Sequence, residues 1–491
     1  MDNKELIKSR RNEPWRGDLR SRLKPKERGA IQRVTMPESA IEKRIHSLTM
    51  EVNTGLQKEE AMLEATRCLD CANPTCMEGC PVGIHIPSFI KNVEAGRFLE
   101  ASEIIRETSS LPAVCGRVCP QEKQCEAKCV YQTMKKPAVA IGYLERFVAD
   151  YERAHRTTGN EGNTLPEKNG KKIAVVGSGP AGLSFAGDMA KYGYEVTVFE
   201  ALHDIGGVLK YGIPEYRLPN EVVEAEIDLL RNLGVSFETN TVVGATLSQE
   251  DLQEMGFVGV FVASGAGLPN FMNIPGENYI GVMSSNEYLT RVNLMHATSM
   301  ESETPILLGD NVAVIGGGNT AMDSVRTAKR LGAKRAFIVY RRSEEEMPAR
   351  LEEVRHAKEE GIEFLTLHNP IAYQADENGR VKTMLLQKME LGEPDASGRR
   401  RPVPIEGAIE EVPVDVVVVS IGVSPNPLIP NNFKGLKVSK WGTIEVNSDN
   451  QTDIPYIFAG GDIVRGGATV ILAMGDGRKA ALAMHRYLSE K

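Results

Sequence analysis

A short hydrophobic run that breaks into a glycine-rich turn and then a helical pattern occurs twice in this 491-residue chain, at Ile173 and again at Val312. Each copy puts a strand end, a tight turn and a helix N-terminus at one spot, which commits its stretch to a parallel, doubly wound sheet. The first reads Ile173-Ala174-Val175-Val176 into Gly177-Ser178-Gly179-Pro180-Ala181-Gly182; the second reads Val312-Ala313-Val314-Ile315 into Gly316-Gly317-Gly318-Asn319-Thr320-Ala321. Further β-branched runs begin at Val196, Val260, Phe337, Val414 and Tyr456 and alternate with helical patterns. The expectation is α/β architecture with two Rossmann-like nucleotide-binding domains, one inserted in the other.

In the first copy Gly177 permits the tight turn, Gly179 lets the backbone approach a pyrophosphate, and Gly182 allows close helix packing, while Pro180 and Ala181 open a helix whose N-terminus attracts phosphate. Glu200 closes the following strand, placed to accept hydrogen bonds from a ribose hydroxyl pair. Gly206-Gly207 and the later Phe458-Ala459-Gly460-Gly461-Asp462 point to FAD as the dinucleotide, with Asp462 toward a ribityl hydroxyl. A Gly-Asp pair after a strand is by itself a plain turn; its weight comes from these neighbours. The stretch from Ala468 to Arg478 reads as a helix start whose positive end faces the flavin. Lys210 is placed either near the flavin or on the surface.

In the second copy Gly316 and Gly318 take the same places, Ala321 replaces the third glycine, and Asn319 and Thr320 start the helix. Its next strand ends in Tyr340-Arg341-Arg342 instead of an acid. Arg341 and Arg342 suit a 2'-phosphate and favour NADPH over NADH; the alternative is a solvated strand end.

All eight cysteines lie between Cys68 and Cys129, ahead of both copies. Their run is Cys68-x2-Cys71-x4-Cys76-x3-Cys80-Pro81, then Cys115-x3-Cys119-Pro120 and Cys125-x3-Cys129. Four thiolates also satisfy zinc, and Cys68-x2-Cys71 alone fits a zinc knuckle in a non-catalytic redox-sensing or assembly scaffold. Ferredoxin-like runs use three close cysteines and a fourth followed by proline, so Cys80-Pro81 and Cys119-Pro120 favour two 4Fe-4S clusters. A reduced flavin releases electrons singly, and a cluster chain turns hydride input into one-electron output. The eight histidines are scattered and form no ligand spacing.

Length calls for two or three domains. The expected division is a helical, cluster-binding domain over 1–165, an FAD domain over 166–290 and 430–491, and an NADPH domain over 291–429. Apolar spacing predicts helix through much of 38–67, and Thr157 to Gly170 reads as a linker. A net charge of -8 argues against nucleic-acid binding. The basic opening from Lys8 to Arg33 reads as a solvated or partner-docking arm. No run has the roughly 18 apolar residues of a membrane span, so a soluble, cytoplasmic protein is expected, where close cysteines serve as ligands more than disulfides.

Taken together, Arg67-Cys68-Leu69-Asp70-Cys71, Cys80-Pro81, Cys115-Gly116-Arg117-Val118-Cys119-Pro120, the Gly-Pro-Ala-Gly-Leu turn, Val339-Tyr340-Arg341-Arg342 and Ala459-Gly460-Gly461-Asp462 make the chain resemble the glutamate synthase small-subunit family over almost its whole length. Cys80-Pro81-Val82 with Ile86-Pro87-Ser88-Phe89-Ile90 is most similar to the large subunit of NADH-dependent reduced ferredoxin:NADP oxidoreductase, a flavin-bifurcating relative, and the N-terminal half of dihydropyrimidine dehydrogenase is similar too. The resemblance implies a helical iron-sulfur domain ahead of a flavoprotein of the disulfide-reductase-like type, with FAD, NADPH and two 4Fe-4S clusters. It also implies the ligands: Cys68, Cys71, Cys76 and Cys129 for one cluster, and Cys80, Cys119, Cys125 and Glu145 for the other, with Cys115 spare. Residue 2 is Asp2, where glutamine-hydrolysing synthases carry a cysteine nucleophile, and no room is left for an FMN barrel. Electrons would therefore go to a larger glutamate synthase subunit, or to ferredoxin and NADH through a second flavoprotein, with no side-chain acid or base required.

Overall fold

The computed structural model describes residues 3–156, 167–396 and 398–490. The first sheet is parallel throughout, in the order Ile457–Ala459, Phe257–Val262, Lys172–Val176, Glu195–Phe199 and Ser236–Glu238. The second is also parallel, in the order Val282–Ser284, Val416–Val419, Asn311–Ile315, Arg335–Tyr340 and Glu363–Thr366. The inner strands of each are buried on both faces, which is why they read as continuous apolar runs, whereas the edge strands Ser236–Glu238 and Glu363–Thr366 are partly exposed. The repeated unit repeats in register: Gly177 N–H donates to the Phe199 carbonyl at 2.8 Å, and Gly316 N–H to the Val339 carbonyl at 3.0 Å.

Val282–Ser284 pairs with the second sheet. The division expected at 290 therefore falls too late, because a three-residue strand followed at once by a helix carries too little pattern to be read. A three-stranded antiparallel sheet, His368–Ala375, Val381–Pro394 and Arg400–Pro413, was not expected either. Its last strand is exposed almost throughout, so it lacks the buried face that makes strands legible. The helix anticipated over 38–67 is two pieces, Ile41–Arg44 and Lys58–Thr66, the first enclosed by an antiparallel bridge between Glu38 and Asn53. Most of the expected linker lies outside the described residues.

The N-terminal helices do not form a detached unit. Phe89, Val114, Leu144 and Val148 belong to the same buried core as Leu183, Phe185, Ile227 and Met474 of the first nucleotide domain. Charged residues tie in the other domain. Arg44, 1% exposed, pairs with Glu38, Glu359 and Glu360, and Arg350 donates to the Arg117 carbonyl at 2.7 Å and to Gln121 Oε1 at 3.0 Å.

The basic opening is not a solvated arm. Its helices, Asn3–Arg11, Pro14–Arg22 and Pro25–Arg28, send Arg16 and Arg28 into the interior. Arg16 and Arg20 both clasp Asp70, which is fully buried and stands between Cys68 and Cys71. Arg28 pairs with Glu94 at 2.9 Å and donates to the Thr66 carbonyl. A guanidinium is weakly hydrated and offers a planar fork of donors, so it tolerates burial when a carboxylate is in reach. Among the described residues no helix is long and apolar enough to cross a membrane.

Asp70 also has a φ of 50°, a conformation that Asn adopts equally well. Asp70→Asn thus preserves the turn and removes only the charge facing two arginines, one of them buried. The expected loss is roughly 3–5 kcal/mol, read as a lower midpoint of chemical unfolding; an unchanged midpoint would show that the clasp carries no stability.

Candidate functional site: one cleft for two dinucleotides beside two groups of thiols

Both glycine-rich turns open into a single cleft of about 1340 Å³. On the first side it is lined by Gly177, Gly179, Pro180, Ala181, Glu200, Gly207, Gly461 and Asp462, and on the second by Gly316, Gly318, Asn319, Thr320, Arg341 and Arg342. Gly206, Gly182 and Ala321 lie behind this wall. Gly182 is needed for packing, since a Cβ there would stand 2.0 Å from the Gly177 carbonyl oxygen. Gly179 and Gly318 differ: a Cβ at either would meet no atom within 4 Å. Their bare backbones face the open cleft at the N-termini of the helices Pro180–Lys191 and Asn319–Arg330, where peptide dipoles and free N–H groups favour a pyrophosphate.

Glu200 is buried and held in place by its neighbours. Its Oε2 accepts from the Ser178 N–H at 2.9 Å and from the Ser178 hydroxyl, and its Oε1 accepts from the Leu202 N–H at 2.9 Å. A carboxylate has about four acceptor positions, so capacity remains for a ribose hydroxyl. Ser178, the variable residue of the fingerprint, was not singled out from sequence. Asp462 accepts from the Ala468 N–H at 3.1 Å, and burial pushes its carboxyl up to about 6. The helix Val470–Ser489 starts at the same wall, with Thr469, Val470 and Ala473 lining the cleft.

At the second turn the two arginines part company. Arg341 is exposed at the cleft. Arg342 is buried, donates to the Arg400 carbonyl at 2.8 Å and pairs with Asp395 at 2.7 Å, so it anchors the antiparallel sheet as well as lining the cleft. That sheet delivers Arg399 to the same wall, a residue missed because its strands were missed. Asn319 Oδ1 accepts the Arg350 N–H at 2.8 Å. Lys210 is not directed at the cleft: its ammonium is held by Asp204 at 2.8 Å and Glu224 at 2.8 Å.

The cysteines fall into two groups. Cys68, Cys71, Cys76 and Cys129 line one small cavity, walled by Ile86, Ile90, Tyr131 and Ile141 among others. Cys80, Cys115, Cys119, Cys125 and Glu145 form the second neighbourhood: Cys80 feels the charges of Glu145 and Cys119, Cys115 those of Cys119, Glu145 and Cys80, and Cys125 those of Cys80, Glu145 and Cys119. Burial is the leading cause that pushes the Cys68 and Cys80 thiols up to about 12. A thiol buried in this way gives up its proton most readily when metal binding drives the loss, the usual coupling of thiolate ligation to binding.

Glu145, on the helix Ile141–His155, is buried with its Oε1 lacking any hydrogen-bond partner. Burial, helped by the charge of Glu226, pushes its carboxyl up to about 8. An orphaned buried carboxylate oxygen among thiols is an acceptor without a hydrogen-bond donor, and its free lone pairs fit a metal centre. The close approach that creates this group depends on Gly116, where a Cβ would stand 2.5 Å from the Arg146 backbone nitrogen. The one compact ligand-like group among the described residues, Glu38, His356 and Glu359, is already occupied by Arg44 and Arg355.

Two dinucleotide turns on one cleft, beside buried groups of thiols, define a two-nucleotide flavoprotein fold fused to a metal-cluster domain. Comparison with known families agrees. The model described as dihydropyrimidine dehydrogenase domain II, 4Fe-4S cluster, matches residues 44–157, and that of pyridine nucleotide-disulphide oxidoreductases matches 171–477. The glutamate synthase [NADPH] small chain of Escherichia coli is 36% identical over 465 residues, covering 93% of this chain and 98% of that one. The beta subunit of the NADP(+)-dependent formate dehydrogenase of Moorella thermoacetica is 40% identical over 437 residues, covering 84% of this chain but only 60% of its own length. The fold is shared with Mycobacterium tuberculosis FprA in complex with NADPH, at 20% identity and a TM-score of 0.55, over 65% of this chain and 85% of that one. The chain belongs to the glutamate synthase small-chain family of pyridine nucleotide-dependent, iron-sulfur oxidoreductases.

The two kinds of glycine separate by experiment. Gly179→Val places its side chain in the open cleft, so the protein should lose FAD on gel filtration while the apoprotein keeps its unfolding midpoint. Gly182→Ala forces overpacking and should cost about 1–3 kcal/mol of stability. Equal behaviour of the two variants would contradict the division of roles.

Proposed function

We propose that the chain moves electrons between NADPH and a partner redox protein through FAD and two 4Fe-4S clusters, ligated by Cys68, Cys71, Cys76 and Cys129 and by Cys80, Cys119, Cys125 and Glu145. The observation that carries this is the position of the helix Val470–Ser489, whose first turns line the FAD side of the cleft while Gly475 touches Pro81, the residue after Cys80. A Cβ on Gly475 would stand 3.0 Å from the Pro81 carbonyl oxygen. When bound, FAD exchanges hydride with NADPH and exchanges electrons singly with iron-sulfur clusters.

The protein's own residues supply placement. Gly177, Gly179 and the following helix N-terminus hold one pyrophosphate, and Gly316, Gly318, Asn319 and Thr320 the other. Glu200 orients a ribose, Gly207, Gly461 and Asp462 bound the flavin side, and Arg341, Arg342 and Arg399 select a 2'-phosphate. The shared cleft brings the two reactive rings together, the principal rate contribution when no side chain transfers a proton. Zinc fits less well. A tetrahedral site with Zn–S near 2.3 Å needs sulfurs about 3.8 Å apart, and among the described residues no three cysteine sulfurs lie within 4.8 Å of one another.

Relatives named as a small chain and a beta subunit support a role as the electron-handling component of a larger assembly. The partner is either a glutamate synthase large subunit or a second flavoprotein that couples ferredoxin and NADH, and the proposed compartment is the reducing cytoplasm. An anaerobic assay of the native complex separates these. Ferredoxin reduction by NADPH that requires NAD identifies bifurcation; glutamate formation from glutamine and 2-oxoglutarate identifies glutamate synthase. NADPH that fails to bleach the flavin in either complex would refute the function.

Arg341→Ala should weaken NADPH by roughly tenfold to a hundredfold, the value of one or two charge-assisted bonds, with NADH little changed; equal losses would remove the 2'-phosphate role. Glu145→Ala should alter the electron paramagnetic resonance signal of one cluster and leave the other intact. Unchanged spectra at full iron content would exclude it as a ligand.

A further inference from the structure

The proposed ligands use seven of the eight cysteines and leave Cys115, which is the most deeply enclosed. It is 0% exposed and sits on the helix Pro112–Val118, one turn before Cys119, whose N–H donates to the Cys115 carbonyl at 3.1 Å. Cys119 is the residue that caps this helix, one turn beyond Cys115, and positions four apart lie one above the other along a helix, so the Cys115 thiol has the Cys119 sulfur as a neighbour. On its other side Cys115 Sγ stands 3.4 Å from Met474 Sδ. Met474 follows Ala473, which lines the cleft, and precedes Gly475, which touches Pro81. A buried cysteine is ordinarily a small apolar filler; this one has a single S–H that meets the Met474 sulfur on the cleft side, with the Cys119 sulfur one turn along its helix on the cluster side.

We propose that Cys115 is a positioning residue for the neighbouring cluster, its one thiol proton divided between Met474 and Cys119, and that the share reaching Cys119 sets how readily this cluster takes an electron from the flavin side. The inference rests on the two-cluster reading above. One-electron reduction adds negative charge to a cluster and its thiolate ligands, and a hydrogen bond to a ligand sulfur stabilises that charge, which raises the potential. The proton stays on Cys115 throughout, and the electron comes from NADPH by way of FAD. Met474 competes for the proton through its thioether, a weak acceptor, so the two residues act on the potential in opposite directions.

The test is a redox titration of the reconstituted holoenzyme, followed by electron paramagnetic resonance, for wild type, Cys115→Ala, Cys115→Ser and Met474→Leu. Cys115→Ala should lower the reduction equilibrium of one cluster about tenfold, which is about 59 mV for one electron. Met474→Leu, nearly volume-conserving and so able to fold, should raise the same cluster, since the proton then has Cys119 alone. Cys115→Ser keeps a donor and should stay closer to wild type than Cys115→Ala. The responding cluster should be the one altered by Glu145→Ala. Shifts of the same sign in Cys115→Ala and Met474→Leu, or no shift in either, would overturn the proposal. A wild-type protein without clusters would overturn the ligation reading instead.

Discussion

The arrangement depends on one helix, Val470–Ser489, being pressed against two partners at once. On one side it meets the fingerprint helix so closely that a Cβ on Gly477 would stand 2.3 Å from the Ala181 carbonyl oxygen. On the other, Gly475 and Met474 meet the Cys80-Pro81 turn and Cys115. Small residues let backbones approach, and close-packed interiors transmit such contacts with little give. The distance from cleft to thiols is thereby set by packing within a single core that both domains share. A tethered cluster domain with its own core would leave that distance to chance.

A second constraint fixes the two nucleotide domains relative to each other, and it is built from buried charge. Arg217 pairs with Asp323 at 2.7 Å and with Glu353 at 3.1 Å, and Arg326 pairs with Glu353 and Glu360. Arg330 lies over the Tyr216 ring at 3.9 Å from its centre, and the Tyr216 hydroxyl donates to the Asp323 carbonyl at 2.9 Å. Burial works against the Glu353 charge, yet Arg217 and Arg326 hold its carboxyl down to about 2. Such networks add little net stability compared with apolar packing, but a displaced member would leave a bare charge inside. They favour one relative placement of the domains, and both turns consequently face the same cleft.

The two fingerprints, their strands and Glu200 were legible because each has a fixed spacing dictated by local geometry. The cysteine run was legible as a cluster of ligands for the same reason. What escaped was set by tertiary contact. Arg16, Arg20 and Arg28 look like any basic surface until Asp70 and Glu94 are seen beside them. The division of Arg341 from Arg342 needed Asp395 and Arg400, supplied by a sheet whose exposed last strand has no apolar alternation. Glu145 has no local signature at all and was reached only through resemblance; its orphaned oxygen is a property of the folded chain. Met474 carries no motif either, and its meaning lies in the sulfur it touches.

The most direct measurement of the central claim is metal content together with low-temperature electron paramagnetic resonance of the anaerobically purified protein, before and after NADPH. The account predicts about eight irons per chain, from two four-iron clusters, and new signals once NADPH has reduced the flavin. Stoichiometric zinc in place of iron, or a bleached flavin with clusters that stay oxidised, would contradict it.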